Sequence, residues 1–142
     1  ETIKAVSGKG ALPVIPWGFG KWTGKRAKII QYLIDEKNLP LFYLGDNGGR
    51  ISLLKGPAAY SKNELGERRI LPGSDPLPFE NQVAKPGSYG FYIYGTPDSG
   101  TPFYFLKSYL SNKENRIYSY GKLESLHIFF HNQLYMQIKK RV

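Results

Sequence analysis

The sequence predicts an α/β protein built on parallel strands, and two observations predict it. Short apolar runs alternate with helical patterns in the order strand, helix, strand, short helix, strand. Each of the three strand-like runs also ends in a loop rich in Gly or Pro and furnished with polar side chains, which is where α/β proteins collect ligands. Three such units are too few to close a barrel of eight. The 142 residues fit one domain, divided into a loose arm over 1–10, βα units over 11–95 and a helical tail over 96–142.

Residues 1–10 hold two glycines and little apolar content. Ala11 to Pro16 reads as a strand that Pro13 and Pro16 keep brief or confine to an edge. The loop from Trp17 to Trp22 follows. Thr23 or Gly24 then caps a helix to about Lys37, with Ala27, Ile30, Leu33 and Ile34 on its apolar face. Asn38 and Pro40 stop it. Lys25, Arg26 and Lys28 occupy its first turn, the positive end of the dipole, where acidic residues would be favoured. A bound phosphate or carboxylate would explain that choice, as would side chains that simply point into water.

Leu41 to Leu44 is the second strand. After it, Asn47-Gly48 signals a hairpin returning through Arg50 to Leu54. The competing reading is a βα loop that presents Asp46, Asn47 and Arg50 at the strand end. Local signals favour the hairpin. A short helix is expected over Pro57 to Leu65, a third strand over Arg68 to Leu71, a proline-containing loop over 76–88 and a fourth strand over Tyr89 to Tyr94. Phe103 to Tyr109 reads as a short aromatic helix. Leu123 to Lys140 is the longest helical pattern, with Leu126, Phe129, Phe130, Leu134 and Ile138 on one broad face.

Composition narrows the classes of function. Without cysteine there is no disulfide and no thiol nucleophile, which favours a cytoplasmic setting. No run approaches the roughly 20 apolar residues that span a bilayer, and Glu1 to Gly10 carries no signal-peptide pattern, so no membrane partner is expected. The net charge of +9 points to an anionic ligand or a generally basic surface, because the cations are dispersed rather than clustered. Eleven tyrosines and eight phenylalanines predict a ring-rich core or a surface that stacks on flat ligands.

Candidate chemistry lies at the strand ends. Trp17, Lys21 and Trp22 follow the first strand, and Lys25 with Arg26 opens the next helix. Asp46, Asn47 and Arg50 follow the second strand, and Asp75 follows the third within Gly73-Ser74-Asp75-Pro76. Pro76 restricts the backbone of Asp75 and helps aim its carboxylate. If the strands are parallel neighbours, these clusters converge on one face. They would offer a carboxylate base or metal ligand, a second acid, and cations for a negatively charged substrate. His127 and His131 stand four apart, at metal-ligand spacing, but no third ligand is near and the Glu of a zinc-protease motif is missing. Tyr89, Phe91, Tyr92 and Tyr94 could stack on bases; packing in the core is the plainer use.

Three segments in order, Pro16-Trp17-Gly18-Phe19-Gly20-Lys21-Trp22, Leu44-Gly45-Asp46-Asn47-Gly48-Gly49-Arg50 and Leu71-Pro72-Gly73-Ser74-Asp75-Pro76-Leu77-Pro78, give residues 11–90 a family likeness. This stretch resembles the C-terminal part of a metal-dependent hydrolase barrel of the amidohydrolase or PHP kind. The Gly-Ser-Asp step resembles the end of the final barrel strand in amidohydrolases. The resemblance implies a half of a (β/α)8 barrel with a long C-terminal helix. Asp75 would be both catalytic residue and metal ligand, taking a proton from the attacking water. Such barrels open with a His-x-His pair that this chain lacks. The resemblance therefore implies a chain incomplete by itself and inactive alone. Most ligands of a divalent metal, Zn or Mn, would come from a missing N-terminal half or another subunit. The expected partner is a small anionic substrate held by Trp17, Lys21, Lys25, Arg26, Asp46, Asn47 and Arg50. The alternative is a small basic module without catalysis, binding nucleic acid or acidic polysaccharide.

Overall fold

The computed structural model describes residues 1–18, 20–54, 56, 60 and 68–139. Its centre is a three-stranded parallel sheet of β1 (Val14–Pro16), β2 (Tyr43–Asn47) and β3 (Ile70–Gly73), in that spatial order. Pro16 pairs with Gly45, and Asn47 with Gly73, so the three C-terminal ends lie within two residues of one another. The central position of β2 explains its composition. Phe42, Tyr43 and Leu44 are fully buried because a middle parallel strand has both faces covered. Burying each such side chain stabilises the fold by about 1.5–3 kcal/mol.

The two faces are covered separately. Phe42 and Leu44 pack with Ile34 and, around them, Ile30 and Leu33 of α2 (Gly24–Asp35). Tyr43 and Leu71 pack on the other side with Leu106 and Leu110 of α3 (Pro102–Ser111). Arg68 ends α2. Its guanidinium donates to the carbonyls of Leu33, Ile34 and Glu36 and lies 4.2 Å from the centre of the Phe42 ring. A cation at the negative end of the dipole is stabilising there. Arg69 donates to the carbonyls of Lys113 and Asn115. Part of the basic excess thus holds the fold together rather than facing a ligand.

Several expectations change. Residues 1–10 are not a loose arm: Thr2–Gly8 forms α1, and Ile3 packs against the Phe42 cluster. The hairpin returning through Arg50 to Leu54 does not form, since β1 and β3 occupy both edges of β2. A type I′ turn needs positive φ at both central residues, and neither Asn47 nor Gly48 has it. Gly48 serves another purpose, because a Cβ there would sit 2.9 Å from the Tyr89 side chain. The chain runs on instead to Ile51, which bridges Glu124 in parallel. The short helix expected over Pro57 to Leu65 lies outside the described residues except for Tyr60.

The fourth strand exists as β4 (Tyr89–Tyr92), but it pairs antiparallel with β5 (Tyr118–Gly121) in a separate ribbon. The tail over 96–142 is therefore not wholly helical. Gly121 makes the ribbon possible, since its φ of +87° and its close approach to the Ser88 carbonyl leave no room for a side chain. α4 (Leu126–Lys139) closes the described chain. It does not bury the broad face expected of it. Phe129 and Asn132 are buried, while Leu126, Phe130, Leu134 and Ile138 form an exposed i, i+4 row. The protein is thus a mixed α/β fold with a parallel sheet and a C-terminal helix, and no barrel closes among the described residues. No described helix is long and apolar enough to cross a membrane.

Candidate functional site at the strand ends

The parallel register brings the loops after β1, β2 and β3 together. Trp17, whose N–H bonds the Gly45 carbonyl at 2.9 Å, stands at the end of β1 and is buried. Tyr60 ties this edge to the sheet: its hydroxyl donates to the same carbonyl at 2.6 Å, and its ring touches Trp17 and Trp22.

At the end of β2, Asp46 is 7% exposed and spoken for. Arg50 grips it with two bonds, Nε to Oδ1 at 2.7 Å and Nη2 to Oδ2 at 2.8 Å, and sends Nη1 to the Leu54 carbonyl. The Tyr89 hydroxyl adds a third bond to Oδ2 at 3.0 Å. Burial first, and then the Asp46 charge, push the hydroxyls of Tyr60 and Tyr89 above the ordinary tyrosine range. The hydrogen bonds that Arg50 donates to Asp46 raise its guanidinium above the ordinary range. Tyr60, Tyr89 and Arg50 therefore keep fixed charge states near neutrality. The cluster is a clamp that pins the loop to the sheet.

At the end of β3, Asp75 is exposed and differently held. Asn47 Nδ2 donates to its Oδ2 at 2.6 Å, while Asn47 Oδ1 accepts from the Gly49 N–H at 2.6 Å. Its φ is +41°, the only positive value among non-glycine residues described. A residue before proline favours extended backbone, so the aspartate is held out of its easy conformation. Strain of this kind gathers at functional sites.

Trp17, Asn47, Arg50 and Asp75 line one cavity of about 50 Å³. Gln82, Glu124, Phe129, Asn132 and Gln133 complete most of the wall. Glu124 is ion-paired with Lys85, whose ammonium burial shifts below its ordinary range. Of the other residues singled out in the sequence, Lys21 and Arg26 line a separate hollow of about 230 Å³ with Pro16, Trp22 and Ile29. Lys25 is exposed and lines neither space, and Asp46 lies behind the cavity wall. His131 stacks on Tyr135 away from the cavity, and His127 meets Ser125.

Among the described residues no three His, Cys, Asp or Glu side chains gather where they could hold a metal ion. Asp75 and Glu124 are the only carboxylates on the cavity wall among the described residues. The donor set does not fit a metal centre formed by these residues alone.

Gln82, Asn132 and Gln133 were not foreseen in the sequence. Asn132 carried a readable signal: it sits three residues after Phe129, a polar residue on the face the helix buries. Reading the face from hydrophobicity alone turned the helix the wrong way. No family model, curated protein or solved structure matches the chain.

Proposed function

We propose that this chain is the C-terminal segment of a hydrolase-like half-barrel acting on an anionic substrate, with Asp75 accepting the proton of an attacking water. One observation carries the reading. Among the described residues, the one exposed carboxylate at the shared end of the three strands is held by a 2.6 Å bond from Asn47, in a strained backbone, on the wall of the cavity. A carboxylate so placed can act as a general base. Lys21 and Arg26, beside Trp22, supply the cations for the substrate's charged group. Arg50 positions the loop through Asp46. A divalent metal, where the reaction uses one, takes further ligands from outside the described residues.

The test compares wild type and Asp75→Asn on p-nitrophenyl phosphate, p-nitrophenyl glucuronide and an anionic anilide. The chain is assayed alone and within any longer natural polypeptide that contains it. General-base removal should cost about 100-fold or more in rate. Equal turnover by the variant, or none by the longer polypeptide, would overturn the assignment.

A second reading, a basic module without catalysis, draws on the outer face of the β4–β5 ribbon. Tyr92, Tyr94 and Tyr118 contact one another there, and Tyr120 covers Gly90. With a net charge of +9, this face suits bases or sugar rings. Binding to a single-stranded oligonucleotide that weakens steeply with salt and with Tyr92→Ala would favour it.

A further inference from the structure

The cavity beside Asp75 holds a polar group without a partner. Asn132 is 3% exposed, and its Oδ1 is buried with no hydrogen-bond partner among the described residues. Leaving a buried acceptor unmet costs about 1–3 kcal/mol, so such an atom calls for an explanation. Asn132 lines the cavity, and so do the carboxamides of Gln82, Gln133 and Asn47. Gln82 is likewise 3% exposed.

A carboxamide offers both a donor and an acceptor. Asn47 is already bonded to Asp75 and Gly49; the other three match a ligand whose groups also do both, and a hydroxyl is the simplest such group. The Trp17 indole on the same wall adds a flat apolar surface for the C–H side of a sugar ring. Volume sets the scale. A water needs roughly 10–15 Å³ of such space, so about 50 Å³ admits one hydroxyl-bearing edge rather than a whole ring. The charged end must then lie elsewhere. Lys21 and Arg26 line a hollow that includes Pro16, the residue before Trp17.

Resting on the hydrolase reading, we infer that the substrate is a sugar acid or sugar phosphate. Its hydroxyl edge enters the carboxamide cavity and donates to Asn132 Oδ1. Its anionic group lies against Lys21 and Arg26. Asn132, Gln82 and Gln133 are thus specificity residues for hydroxyl groups, separate from the chemistry at Asp75.

Binding is tested without turnover. The full chain, as Asp75→Asn, is titrated with glucuronate, glucose and cyclohexanecarboxylate while tryptophan fluorescence is followed. Glucuronate should bind most tightly, glucose more weakly, and cyclohexanecarboxylate least, since a site built for hydroxyls rejects an analogue lacking them. Asn132→Leu should weaken glucuronate and glucose about tenfold or more. Lys21→Ala with Arg26→Ala should weaken glucuronate alone. Gln133→Leu, at a half-buried position, gives the same reading should Asn132→Leu fail to fold.

Equal binding of cyclohexanecarboxylate and glucuronate would overturn the inference, as would no binding of either sugar. Unchanged sugar binding in the folded cavity variants would do so too, leaving water as the partner of Asn132. Sugar binding that persists where no hydrolysis occurs supports the inference while removing the catalytic role of Asp75.

Discussion

β2 and β3 end side by side, each with an aspartate, and the two are treated in opposite ways. Asp46 is buried and receives three side-chain bonds, two from Arg50 and one from Tyr89. Asp75 is exposed, receives one from Asn47, and sits in strained backbone. A carboxylate whose lone pairs are taken by its own protein builds structure. One that is aimed but left open has capacity for something else. The difference marks Asp46 as architecture and leaves Asp75 as the carboxylate on which the proposed function rests.

The largest effect should come from breaking the clamp. Asp46→Ala leaves Arg50 partly buried without its partner, and losing one side of a buried pair costs about 3–5 kcal/mol. Urea unfolding should show the midpoint fall with little change in slope. A loss under about 1 kcal/mol, the scale of surface pairs, would mean that the clamp does not organise this end of the sheet.

Tyr89→Phe should have a smaller effect, about 1 kcal/mol, through the single bond to Asp46. It also has a pH signature. Burial, followed by Asp46, raises the Tyr89 hydroxyl above its ordinary range. A tyrosine whose folded pKa is raised contributes stability that is fully present below the unfolded pKa, near 10. That stability is lost as pH rises through the folded value. Wild type should therefore weaken steeply above about pH 10, and Tyr89→Phe should weaken less steeply. Parallel curves for the two proteins would show that Tyr89 does not couple to Asp46.

The positions of the strand ends were legible in the sequence, but the contrast between their aspartates was not. Asp46 and Arg50 read there as substrate-binding residues, because a buried ion pair and an open site use the same residue types. The strand ends were found because apolar runs followed by Gly, Pro and polar residues report burial and its end. Their convergence needed only that the strands be parallel. The hairpin was misread because Asn47-Gly48 looks the same whether the glycine supplies positive φ or space, and here it makes room for Tyr89, a residue 41 positions away. β5 was missed because its Tyr-Ser-Tyr-Gly sequence is too short and exposed to stand out without its partner strand. The face of α4 was misjudged for a related reason. Hydrophobicity favoured Leu126, Phe130, Leu134 and Ile138, while the anchoring of Glu124 to Arg50 and Ile51 turned Phe129 and Asn132 inward. Local pattern reports composition of a face; long-range contact decides which face is buried.

The smallest expected effect tests the other aspartate. Asp75→Asn should leave stability within about 0.5 kcal/mol of wild type, as an exposed substitution that preserves shape. Asparagine also tolerates left-handed backbone, and its side-chain oxygen can still accept from Asn47. Asp75→Ala should cost more, about 1–2 kcal/mol, because alanine has no such tolerance at a φ of +41° and offers no acceptor. The pair of variants therefore separates backbone from charge. If both are neutral, neither the backbone at Asp75 nor its bond from Asn47 costs or contributes stability, and the carboxylate is not held. If Asn is neutral and Ala is not, the position is built to hold a side chain of this shape in place. The charge on that side chain then contributes nothing to the fold, and the proposed role of the carboxylate rests on the activity and binding assays alone.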